Sequence, residues 1–149
     1  MDKAGIQTAY LSVTNPGVWF TDDYDGERQT AVALARDMNE FGARMVADHG
    51  RANSELKSIA GKKGIQLPTE LNSEQKSEMD KLSKMSGAEF DKEYMSAMLK
   101  DHETDVKDFD TQAKEGNDPE IKAFAGKTLP TLQQHLQMAQ QAAQKVGAK

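Results

Sequence analysis

The 149-residue chain contains no cysteine, which excludes disulfides, thiolate metal sites and cysteine nucleophiles. Aromatic residues amount to 6% and tryptophan occurs once. With valine and isoleucine also sparse, a sheet-based fold lacks its usual building material. No apolar run approaches the roughly 20 residues that a membrane span requires. No segment has the charged, apolar and small-residue succession of a signal peptide. Positive charge is not concentrated anywhere. Lys and Arg number 19 against 24 Asp and Glu, for a net charge of -5, and the two signs are interspersed, so there is no basic stripe for nucleic acid. A phosphate-cradling glycine loop is also missing.

What remains is rich in alanine, glutamine, lysine and glutamate, with eight methionines, the composition of a helical protein. The length fits one domain able to bury a core. Residues 1–25 are irregular. Ile6 to Val13 is weakly strand-like, and Asn15-Pro16-Gly17 is a turn. The acidic run Asp22-Asp23-Tyr24-Asp25-Gly26 reads as a helix-capping turn rather than a calcium loop. With Gly26 at the sixth loop position, the first and twelfth would be Thr21 and Val32, and neither is a carboxylate.

Residues 26–149 form the helical domain. Leu34, Met38, Phe41, Met45, His49, Ala52, Leu56 and Ile59 recur at helical spacing and predict a long helix over 27–60. Asp37 offers a cap that would divide it, and Gly61 and Gly64 close it. A short helix over about 73–85 follows. Ser86-Gly87-Ala88-Glu89 has the spacing of a capping box and opens a long helix to about residue 114, with Phe90, Tyr94, Met98, His102, Val106, Phe109 and Ala113 on one stripe. Asp118 and Pro119 start the last helix. It carries Ile121, Phe124, Ala125, Leu132, His135, Ala139, Ala142 and Val146, and Pro130 predicts a kink within it.

All three histidines fall on these apolar stripes. His102 lies 15 residues before position 117 and His135 lies 18 after it. At about 1.5 Å per residue the two differ in height by roughly 4–5 Å in an antiparallel hairpin. If residues 62–86 cross the bundle end to end, the helix of His49 runs parallel to that of His102 and His49 joins the same layer. Met45, Met98 and Met138 then lie one turn to one side of it. Imidazole suits zinc, copper, iron and nickel, and thioether sulfur selects reduced copper.

Asp48 and Asp101 precede their histidines and point about 100° away around the helix, as surface groups or outer partners. Asp105, three residues after His102, is the carboxylate with same-face spacing to a histidine. A di-iron site is not encoded, because its Glu-x-x-His pairs would need glutamate where Val46, Leu99 and Leu132 stand. No serine is placed for a triad. The plain alternative is that the methionines fill gaps in the core and the histidines are its polar contacts.

The stretches Phe41-Gly42-Ala43-Arg44-Met45-Val46-Ala47-Asp48-His49, Gly87-Ala88-Glu89-Phe90-Asp91-Lys92-Glu93-Tyr94 with His102, Ile121-Lys122-Ala123-Phe124-Ala125, and Thr128-Leu129-Pro130 with His135-Leu136 carry a resemblance. Over about residues 37–140 the chain resembles a bacterial envelope family, domain of unknown function 4142, often labelled "predicted outer membrane protein". The resemblance implies a ferritin-like up-down-down-up four-helix bundle, exported to the periplasm, without an established enzyme activity. It also implies a first helix at about residues 11–35, which Asn15-Pro16-Gly17 and the acidic turn interrupt here. Either that helix is short, from about Tyr24, or a second chain completes the bundle as a homodimer.

The expectation is therefore an all-α, ferritin-like four-helix bundle with a long crossover carrying a short helix. It binds a transition metal, copper first and zinc second, through His49, His102 and His135. Met45, Met98, Met138, Asp48, Asp101 and Asp105 are its further ligands or outer partners. The competing readings are a non-enzymatic structural or stress-related envelope protein and, least favoured for want of glutamates, a metal-dependent oxidoreductase.

Overall fold

The structure, a computed structural model, describes residues 35–149. The expectations for residues 1–25, the acidic turn and the first helix of the resemblance fall outside that range. Four helices follow in order: α1 (Ala35–Lys62), α2 (Ser73–Leu82), α3 (Gly87–Glu115) and α4 (Pro119–Val146). Among the described residues there is no strand, and no helix is long and apolar enough to cross a membrane.

Local chemistry sets the helix ends, and in places differs from the expectation. Asp37 lies inside α1 and does not divide it. Gly61 is helical as well, so α1 is closed by Gly64 alone. Gly64 takes φ +66°, and the amide of Ile65 donates back to the Ala60 carbonyl at 2.9 Å, a left-handed stop that satisfies an otherwise orphaned carbonyl. A capping box forms at the start of α2. Asn72 accepts from the Gln75 amide at 2.8 Å, and the Gln75 side chain accepts from the Asn72 amide at 3.0 Å.

The box expected at Ser86 does not form, since the Ser86 side chain makes no capping hydrogen bond. Gly87 beside it takes φ +60°, a backbone turn that carries the first amides of α3 away from the serine. Replacement of Asn72 by alanine should accordingly lower stability by about 1 kcal/mol, read as a shift in urea midpoint at unchanged slope. Ser86→Ala should stay within about 0.5 kcal/mol of the parent. The α2 helix also ends at Leu82, short of the expected residue 85. At α4, Asp118 accepts from the amides of Glu120 and Ile121 at 3.0 and 3.1 Å, and the helix runs on through Pro130 to Gly147.

Cross-helix pairs fix the topology. Along α1, Asp48 and Glu55 meet His135 and Lys127 of α4, and Lys63, just beyond α1, meets Asp118. One number rises as the other falls, so α1 and α4 are antiparallel. The α3–α4 hairpin sets Phe109 against Phe124 and His102 against His135, so α3 also opposes α4 and runs parallel to α1. The connection over 63–86 spans the bundle. Ile65 and Leu67 pack on the apolar cluster of Leu56, Ile59, Phe109, Phe124 and Leu132. Met79, Leu82 and Met85 pack with the cluster of Phe41, Met45, Tyr94, Met98 and Ala139. The core is thus built in two apolar halves. Asp48, His49, His102, Asp105 and His135, all buried, occupy the layer between them.

Candidate metal centre

Each histidine is delivered by a different helix: His49 by α1, His102 by α3 and His135 by α4. None is more than 1% exposed. Their ring centroids lie 5.2 Å (His49–His135), 5.6 Å (His102–His135) and 5.7 Å (His49–His102) apart. One ring nitrogen from each comes within 4.8 Å of the others. A transition metal bound at about 2.0–2.1 Å holds three imidazole nitrogens roughly 3.5 Å apart, so small side-chain rotations close the set on an ion.

Hydrogen bonding fixes which ring nitrogens keep a lone pair. His102 Nδ1 donates to the Met98 carbonyl at 2.8 Å, which leaves the lone pair on Nε2. His135 Nε2 donates to Asp48 Oδ2 at 2.9 Å, which leaves the lone pair on Nδ1. His102 Nε2 and His135 Nδ1 are buried and have no hydrogen-bond partner among the described residues. Burial pushes the His102 ring down to about 4 against the hydrogen bond to Met98. Burial lowers His135 too, against the pull of Asp48. Both rings are therefore neutral near pH 7, as metal ligation requires. Buried lone pairs without a partner are costly, and one cation held between the rings would satisfy both, which gives the layer its chemistry.

Asp48 is the outer support. Its carboxylate accepts from Arg44 Nε at 2.6 Å and from the Arg51 guanidinium, besides His135. Burial alone would raise its carboxyl, but the hydrogen bonds from His135, Arg44 and Arg51 prevail and hold it at about 2. A carboxylate that anchors the far nitrogen of a ligating histidine fixes its tautomer and orientation.

The other residues singled out in the sequence fall in different places. Met45 and Met98 are fully buried and Met138 is half-buried, all on the same side of the histidine layer. Asp105 is buried one turn along α3 from His102, and Asp101 is half-buried. The carboxyl of Asp101 is pushed up to about 7 by burial and by Glu78 and Glu74 of α2, which places it towards that helix. Neither belongs to the converging donor set. Arg44 and Arg51 were not singled out, although their spacing of -4 and +3 from Asp48 is that of helical ion pairs.

The arrangement defines a class, an all-α bundle whose core encloses a three-histidine donor set. The chain belongs to the family described as domain of unknown function DUF4142, which it matches over residues 30–142. No curated protein and no solved structure matches it.

Proposed function

We propose that this chain is a periplasmic protein that binds one transition-metal ion through His49, His102 and His135, for storage, delivery or sensing rather than turnover. The single observation that carries the reading is the pair of buried, unpartnered lone pairs on His102 Nε2 and His135 Nδ1, whose ring protons are committed to Met98 and Asp48. Burial of all three rings argues for holding an ion over reacting it with a substrate. Copper and zinc both suit imidazole at this nitrogen count. The periplasmic placement rests on the resemblance in sequence.

The test is metal content by mass spectrometry on untagged protein, followed by thermal melts with copper and zinc. One ion per chain is expected, with a gain of about 2.7 kcal/mol at a hundredfold excess over the dissociation constant, lost in His102→Ala. No bound metal and no thermal gain with either ion would sink the proposal. A second reading, a structural envelope protein, draws on the Asp48–His135 bond that ties α1 to α4. Under it, His102→Ala destabilises equally with and without metal.

A further inference from the structure

The methionines are distributed in a way that packing alone does not require. All six with described side chains belong to one half of the core. Met45, Met95 and Met98 are fully buried within the cluster that contains Phe41 and Tyr94, and Met79, Met85 and Met138 pack against it. The opposite half, built from Leu56, Ile59, Phe109, Ile121, Phe124 and Leu132, contains none, and leucine, alanine, valine and isoleucine cover its rim. Gap-filling by a flexible side chain would serve both halves alike.

Within the thioether-rich half, α3 buries Asp91, Met95, Met98 and His102 in succession, spaced 4, 3 and 4 residues apart and hence on one helix face. Asp91 heads the row near the start of α3. The residue is 3% exposed, and Oδ1 has no hydrogen-bond partner among the described residues. Along that face the two thioethers lead to the histidine layer, where the Phe41 ring and the Met98 carbonyl approach His102.

Charge points to the same ion. The donor set is three imidazoles with no carboxylate among them. Of the two buried carboxylates in the same layer, Asp48 is already matched by Arg44 and Arg51, and Asp105 lies one turn along α3 from His102. A singly charged ion costs less to bury in such surroundings than a doubly charged one, and thioether sulfur favours reduced copper.

Building on the three-histidine reading, we propose that the ion is Cu(I) and that it reaches the layer through the methionine-rich half, past Asp91, Met95 and Met98. The test transfers Cu(I), without oxygen, from its bathocuproine disulfonate complex to the purified chain and follows loss of the complex's colour. The variants are Met95→Leu/Met98→Leu, which conserves volume and apolar character, Asp91→Asn, and His102→Ala as the site control, with circular dichroism melts to establish folding. The wild type is expected to take one Cu(I). In the folded methionine double variant the transfer should slow by about tenfold, the loss typical when a supporting group of a metal centre is removed, with zinc affinity unchanged.

Cu(I) uptake that depends on His102 but proceeds at the parent rate in both the methionine and Asp91 variants would overturn the route and leave the histidine site standing. Zinc bound through the histidines with no Cu(I) taken up would overturn the choice of ion. Indifference of both metals to His102→Ala would overturn the site itself.

Discussion

Replacing Asp48 by asparagine should be the most damaging single change in the polar layer. It should cost about 1–3 kcal/mol, the range for leaving a buried hydrogen-bonding group unsatisfied. In a domain of this size that corresponds to a melting temperature lower by roughly 5 °C. The reason is local. The carboxylate accepts from three donors at once, Arg44, Arg51 and His135, with its side chain 3% exposed. Asparagine offers one acceptor oxygen and turns an amide donor towards a group that also donates. The arginines are 53% and 78% exposed and can turn to water, but His135 is 1% exposed and cannot.

The same substitution separates a metal centre from a staple. If His135 ligates an ion through Nδ1, freeing its Nε2 proton should weaken metal binding by about 10–100-fold without abolishing it, whereas His102→Ala should abolish it. Calorimetric titration of both variants reads the difference. Equal metal affinity in Asp48→Asn and the parent would confine Asp48 to a purely structural part.

Much of this was legible in the sequence, and the departures have physical causes. Stripe periodicity and the cap at Asp118 located the helices. The residue count across the α3–α4 turn predicted that His102 and His135 share a level, and their rings lie 5.6 Å apart. The partner of Asp48 was less legible. Its neighbour in sequence is His49, yet the 100° turn per residue aims it at a different helix, and only the packing of α1 on α4 identifies His135 as its partner. Two caps with similar sequence spacing behaved differently, because one φ angle at Gly87 decides whether Ser86 can reach an amide. The face of α3 was read through Phe90 and Tyr94, whereas Asp91 and Met95 lie deeper. Phe90 instead stacks on Tyr94, with ring centroids 5.5 Å apart and planes 10° from parallel. A stripe one residue wide leaves room for that ambiguity, and an aspartate within it carries no apolar signal.

Acid should unfold the metal-free protein in two separable steps. In the first, burial holds the His102 ring at about 4, below the ordinary 6.5. The unfolded chain therefore takes up a proton that the folded chain refuses, and the contribution of His102 to stability falls as pH drops from 6.5 towards 4, while Asp101, raised to about 7, contributes with the opposite sign over that interval. A shift of this size corresponds to about 3 kcal/mol. His135, lowered by burial, adds to the loss in the same direction. The groups facing His102 reinforce the sign, since the rings of His49 and His135 approach it from α1 and α4, and protonated His135 repels a proton on His102. In the second step Asp48, held at about 2 against an ordinary 3.8, contributes stability that is complete above pH 4 and is lost as pH falls through 2. Urea unfolding at a series of pH values resolves the two steps. His102→Phe, which keeps a buried ring beside Phe41 and cannot titrate, should remove the His102 share of the slope between 6.5 and 4 relative to the parent and leave the lower interval intact. Asp48→Asn should do the reverse. A profile in which neither variant changes the slope of its own interval would mean that these buried groups do not govern the acid response.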